Sequence, residues 1–148
     1  MPFLIRQTEA TDEPAWRRLW AGYLDFYEAD VAADVTDATW ARSLSPGSGI
    51  FGRVAVARDG TLAGFSLSIL HPGTWRKEPL CYLEDLFVDP QWRSQGVGRL
   101  LIEDLVRLGK ENGWATLYWH TQATNGAARR LYDQFIQADG FVRYRLSL

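Results

Sequence analysis

The sequence predicts an α+β domain with a mixed, mainly antiparallel central sheet flanked by helices, and three observations predict it. Apolar residues recur at helical spacing from Trp16 to Tyr27 and again beyond Val97. Between Phe51 and Val88 the period drops to two, in three runs separated by turn signals. A glycine-bearing segment, Arg93-Ser94-Gln95-Gly96-Val97-Gly98-Arg99, then joins the last of those runs to a helix. The predicted order is βααβββαβαβ, one domain over residues 1–148.

Each element follows from local pattern. Phe3 to Gln7 reads as a short strand with Phe3 and Ile5 on one side. Thr11 or Asp12 caps a first helix, and Pro14 is tolerated in its first turn. Its aromatic face (Trp16, Trp20, Tyr23, Phe26, Tyr27, with Leu19) is expected to serve mostly the core. A second helix starts near Thr36, carries Trp40 and Leu44, and stops at Ser45-Pro46-Gly47. From Phe51 a three-strand meander follows, with Asp59-Gly60 as its hairpin turn and a loop over 71–80. Val97, Leu101, Leu105 and Leu108 form the buried stripe of a helix ending at Asn112-Gly113. Thr116 to Thr121 is a central strand. Asn125 opens a last helix with Ala128, Leu131, Tyr132, Phe135 and Ile136 inward, and Phe141 to Leu146 alternates as a final strand.

Composition narrows the function. With 16 basic and 18 acidic residues the formal charge is −2, which gives no general affinity for nucleic acid or an anionic membrane. A single cysteine, Cys81, cannot form an internal disulfide and fits a reducing compartment. No apolar stretch approaches the roughly 20 residues that span a bilayer, and the amino terminus lacks a signal-peptide plan, so a cytoplasmic location is expected.

At a strand–loop–helix junction the first helical N–H groups lack partners, and with the helix dipole they suit a phosphate or pyrophosphate. The Arg-x-x-Gly-x-Gly spacing alone does not say which one. A dinucleotide fold would place such a loop after its first strand, and a P-loop would continue Gly-Lys-Ser/Thr where this chain has Gly98-Arg99-Leu100. His71 and His120 stand 49 residues apart with no metal-ligand spacing and read as structural; no metal is expected. Cys81 reads as buried filler, and Ser94 lacks a nucleophile elbow. The run Asp25, Glu28, Asp30, Asp34 and Asp37 contains no basic residue. It is either a solvated connector or a rim that attracts a cationic substrate.

Leu86-Phe87-Val88, then Arg93-x-x-Gly96-x-Gly98, then Asn125-x-x-Ala128-x-x-Leu131-Tyr132 together closely resemble the GNAT superfamily of acyl-CoA-dependent N-acetyltransferases. The element order matches over nearly the whole chain. Within the superfamily, Tyr82-Leu83-Glu84-Asp85-Leu86-Phe87-Val88 is similar to the spermidine/spermine and thialysine (diamine) acetyltransferase branch. The resemblance implies acetyl-CoA as cosubstrate. The backbone of Leu86, Phe87 and Val88 would pair with its pantetheine arm. The loop residues Arg93, Ser94, Gln95, Gly96, Val97, Gly98 and Arg99 would cradle the pyrophosphate. Asn125 would bond the cofactor or its water near the thioester, and Tyr132 would lie beside the sulfur.

The reaction so implied needs an amine stripped of its proton, a held oxyanion and a protonated leaving thiolate. Tyr132 takes the acid's role, although packing alone would also account for it on its apolar stripe. An N–H near Phe87 takes the oxyanion. Glu84 is the candidate for binding the amine and accepting its proton, directly or through water. Glu84 and Asp85 are neighbours in a strand and should face opposite ways, and the sequence does not fix which faces a pocket. Arg93 and Arg99 either touch phosphate or lie on the surface. The expected partner is a small cationic amine (polyamine, diamine or amino-acid-like), with peptide or aminoglycoside amines as alternatives. A non-catalytic acyl-CoA-binding regulatory domain is the competing class. The family often dimerises, and Phe141 to Leu146 is available to pair across a homodimer interface.

Overall fold

A computed structural model describes residues 2–148. Five strands form one sheet in the order β1-β2-β3-β4-β5: β1 Phe3–Gln7, β2 Ile50–Ala57, β3 Leu62–His71, β4 Leu80–Val88 and β5 Thr116–Trp119. The first four pair antiparallel, and β4–β5 is parallel. The helices are α1 Glu13–Phe26, α2 Ala33–Leu44, α3 Val97–Asn112 and α4 Gly126–Tyr132.

One sheet face is covered by α1 and α2. Trp16, Leu19 and Trp20 of α1 and Trp40 of α2 pack on Val54, Phe65, Leu67 and Phe87. α3 covers the other face, where Val97 and Leu101 meet Phe3, Ala55 and Ala63, and Ile102 and Leu105 meet Leu83. A fork from Arg53 on β2 to buried Asp104 on α3, at 2.7 and 2.9 Å, ties helix to sheet. Asp12 sits at the N-cap of α1 as expected. Its carboxylate turns backward, accepting from the Glu9 N–H and from both Arg6 terminal nitrogens.

Three sequence expectations are corrected. α2 begins at Ala33, three residues before Thr36. α4 ends at Tyr132 and passes into a turn, so Ile136 is exposed and does not join the inward stripe. The final strand over 141–146 does not form: Phe141, Val142, Tyr144 and Leu146 stand exposed in an unpaired segment. A strand exists only by hydrogen-bonding to a neighbour, and this single chain sets none beside the segment, whatever its alternation. The aromatic face of α1 also divides. Trp16, Leu19 and Trp20 are buried, Tyr23 is half-buried, and Phe26 and Tyr27 are exposed at the helix end.

Candidate active site

β4 carries a bulge at the point where the site is built. Leu67 of β3 pairs with Asp85 and Ser68 with Leu83, which leaves Glu84 without a partner on β3. The extra residue resets the alternation, as bulges beside active sites commonly do. Leu83 and Leu86 both pack toward α3, while Asp85 lies on the face of Leu67 and Phe87, under α1. Leu83 and Asp85, two residues apart, therefore lie on opposite faces of the sheet. Glu84 is exposed at the bulge, and Asp85 is half-buried.

The bulge coincides with a split in the sheet. β5 pairs with β4 only from Leu80 to Leu83, ending at Trp119. Beyond it the residues Asp85–Val88 have a sheet neighbour on the β3 side alone, so backbone groups on the other edge are free to meet an extended ligand. An open cleft of roughly 1440 Å³ lies at this split, lined by the end of α1, by β4, by β5 and the segment after it, and by α4.

Tyr132 enters the cleft from the end of α4, its ring 5.6 Å from that of Trp119. Burial, then the neighbouring Tyr27, push its pKa up, so the hydroxyl is protonated at neutral pH. It has no hydrogen-bond partner among the described residues. Asn125 also lines the cleft and caps α4, its Oδ1 accepting from the Ala128 N–H at 3.3 Å. On the opposite wall, Tyr23 of α1 donates from its hydroxyl to Asp85 Oδ1 at 2.7 Å. Burial pushes the Asp85 carboxyl up to about 6; the Tyr23 bond opposes the shift and the charge of Glu84 adds to it. Tyr23 and Tyr27 meet edge to face at 5.1 Å, so α1 carries an aromatic bridge between the walls.

The loop before α3 has the backbone such a cleft needs. Ser94 (φ 63°) and Gly96 (φ 82°) are both left-handed, and α3 starts at Val97. None of the N–H groups from Ser94 to Arg99 donates to a protein acceptor among the described residues. Alternating handedness with free N–H groups at a helix start forms a concave cradle suited to an anion. Gly96 is required by its φ. Gly96→Ala is expected to cost about 1–2 kcal/mol, the usual penalty for a left-handed residue with a Cβ, and to weaken CoA binding. Urea unfolding and CoA titration check it. Gly98 serves packing: a Cβ there would meet Leu131 of α4 at 3.3 Å.

Other candidates take more specific places. Val97 contributes only backbone, its side chain being buried against Phe3 and Leu101; Gln95 is exposed. Phe87 is buried under α1, and Leu86 packs toward α3. Arg93 donates to the Val88 carbonyl at 3.1 Å and lies over the rings of Phe26 and Phe87. Arg99 bonds Glu103 and Gln134 and covers Phe135. Both arginines flank the loop already held by protein partners. Of the five acids between Asp25 and Asp37, Glu28 alone lines the cleft, and Asp37 pairs with Arg17 at 2.8 Å.

His71 and His120, far apart in sequence, meet through two tyrosines. His71 Nε2 lies 2.7 Å from the Tyr118 hydroxyl and His120 Nδ1 3.2 Å from that of Tyr82, while the two phenol rings stack at 5.1 Å. Cys81 is buried with its thiol pushed up to about 11 by burial, which makes it inert. Among the described residues no cluster of His, Cys, Asp and Glu could hold a metal, and no helix is long and apolar enough to cross a membrane. Sequence reasoning left Asp85 open beside Glu84 and read Tyr23 and Tyr27 mostly as core, whereas all three line the cleft. The available signal was the pair of tyrosines at i and i+4 near the end of α1.

The family model of the acetyltransferase (GNAT) family matches residues 13–135. Over 143 residues the chain is 32% identical to a D-amino-acid N-acetyltransferase, HPA3, of Saccharomyces cerevisiae, covering 96% of this chain and 89% of that protein. A thialysine N-epsilon-acetyltransferase of Caenorhabditis elegans is 30% identical over 57% of this chain and 55% of its own length. The solved structure of AAC(6')-Iy in complex with a CoA-containing bisubstrate analogue superposes with a TM-score of 0.82. It is 24% identical and covers 99% of each chain. The chain belongs to the GNAT family, and it is an acetyl-CoA-dependent N-acetyltransferase.

Proposed function

We propose that the protein moves an acetyl group from acetyl-CoA to the primary amine of a small cationic acceptor, by direct attack in a ternary complex. The observation that carries this is the cleft itself. Two carboxylates, Glu84 and Asp85, open on it with no protein cation paired to either among the described residues, and Tyr132 faces the same space. In this reading, Leu86 to Val88 and the Ser94–Arg99 N–H groups hold the cofactor, with Asn125 near the thioester. Glu84, exposed at the bulge, binds the amine and accepts its proton directly or through water. An N–H near Phe87 holds the oxyanion, and Tyr132 protonates the departing sulfur.

An amino-acid-like acceptor is favoured over a polyamine. Arg129, Arg143 and Arg145 line the cleft together with the two carboxylates, which suits a substrate bearing a carboxylate beside its ammonium group. The D-amino-acid acetyltransferase among the relatives supports the same class. The test is thiol release from acetyl-CoA with D- and L-amino acids, thialysine, spermidine, an aminoglycoside and a short peptide. Amino acids are expected to lead. CoA binding without release from any amine would replace the enzyme by a non-catalytic CoA-binding domain.

The exposed segment after Asp139 supports a homodimer. Val142, Tyr144 and Leu146 offer alternating apolar side chains and free backbone groups to a second copy. Sedimentation is expected to give a dimer for the full chain and a monomer for a chain ending at Gly140. A full-length monomer would remove the dimer.

A further inference from the structure

The open edge of β4 is not equally free at every residue. The Asp89 N–H bonds the Ala63 carbonyl at 2.9 Å, and opposed residues of an antiparallel pair alternate between bonded and unbonded. Phe87 and Asp85 therefore turn their backbone groups toward β3. Leu86 and Val88 turn theirs to the side that β5 leaves open. Those outward N–H and C=O groups match the amides of an extended pantetheine arm. One of them is already taken: Arg93, at the start of the loop, donates from Nε to the Val88 carbonyl at 3.1 Å.

The same guanidinium links two parts of the cleft. Its carbon lies 5.3 Å from the ring centre of Phe26 and 5.6 Å from that of Phe87. Phe87 is fixed in the core under α1. Phe26, the last residue of α1, is 58% exposed and meets the ring of Tyr27 edge to face. Arg93 thus ties the end of α1, and with it Tyr27 on the cleft wall, to the edge of β4. A cation over exposed rings and one bond to a neutral carbonyl make a weak, screened contact. It can hold a place and yield it.

Resting on the cofactor placement given under the proposed function, we propose that Arg93 is a displaceable positioning residue and not a phosphate ligand. In the free protein it occupies the Val88 carbonyl; it gives that carbonyl up to the cofactor's arm, and its departure unties the end of α1. A ligand shifts such an equilibrium only through its different affinity for the two states, and here the difference is one backbone acceptor. With Arg93 in place the arm competes for that acceptor. With Arg93 displaced, Phe26 and Tyr27 are free to settle on an amine. One side chain then couples the two halves of the site, and cofactor binding precedes and improves acceptor binding.

The test follows the Arg93 side chain of the full chain by NMR, its signals assigned by their loss in Arg93→Lys. S-acetylpantetheine, which carries no phosphate, is added first and CoA second. The Arg93 Cδ protons should show the ring-current shift of Phe26 and Phe87 in the free protein and lose it with either compound. Arg93→Ala should bind both about 2–10-fold more tightly, the value of one competing hydrogen bond removed. Its amide exchange at Tyr27, Glu28 and Ala29, whose N–H groups close the end of α1, should match the rate the wild type reaches only with CoA. Arg93→Lys keeps the charge without the flat face and should exchange like Arg93→Ala. A merely structural arginine would leave the affinities unmoved and overturn the proposal. Weaker CoA binding in Arg93→Ala, with S-acetylpantetheine unchanged, would make Arg93 a phosphate ligand and overturn it too. Should S-acetylpantetheine shift no signal of the protein, the CoA affinity of Arg93→Ala decides by its sign. None of these readouts needs acetyl transfer, so they stand if no amine is acetylated. A wild type that binds no CoA would strike the cofactor placement, and the displacement with it.

Discussion

Tyr132→Phe is expected to lower kcat by about 10²–10⁴-fold, the range for loss of a general acid, while CoA binds as before. The residue closes α4 with its ring against Trp119, so a phenylalanine keeps the packing. Its hydroxyl bonds no protein group among the described residues, so the change strands no buried partner and should leave stability within about 0.5 kcal/mol of wild type. The chemical loss is specific to one atom. Burial, reinforced by Tyr27, pushes the phenol's pKa up and keeps the proton that the proposed reaction gives to the leaving sulfur. Rapid-quench turnover with parallel CoA calorimetry tests this, and an undiminished kcat would take Tyr132 out of the acid's role.

The fold was legible because its elements carry their own periods. Trp16, Leu19 and Trp20 announce a buried helical face, and Val97, Leu101 and Leu105 another; both are buried as expected. Asp59-Gly60 turns the hairpin where the dipeptide says it should. The backbone of the loop before α3 was legible too, since its glycines fix a shape that depends on few distant contacts. The carboxylate wall of the cleft was not. That Glu84 and Asp85 both line it depends on a bulge in the pairing of β4 with β3, and pairing is a long-range property that strand alternation cannot encode. Tyr23 looked like core because helical spacing alone cannot tell a residue on buried strands from one at a split between them. Phe141 to Leu146 failed for a related reason. Its pattern specifies a strand, but a strand needs a neighbour, and the chain by itself supplies none.

Trp16→Ala should destabilise the protein by about 3–5 kcal/mol, the usual cost of removing a large buried aromatic. Against a total of about 5–15 kcal/mol for a domain, that is a large share. Trp16 is 1% exposed and contacts three rings: Trp20 at 5.2 Å, Trp40 at 5.0 Å and Phe65 at 5.8 Å. It therefore joins α1, α2 and β3 in a single cluster. The loss should also be asymmetric in function. α1 brings Tyr23 and Tyr27 to the wall proposed for the acceptor, whereas the loop proposed for the cofactor leads into α3 on the other face of the sheet. At low temperature, in the fraction still folded, the acceptor's KM should rise more than the Kd for CoA. Urea unfolding gives the first number, and steady-state kinetics with CoA titration give the second. A stability loss below about 1 kcal/mol would mean the cluster repacks around the missing indole. Equal weakening of amine and CoA would mean that α1 and α3 transmit strain through the sheet and do not support separate walls of one site.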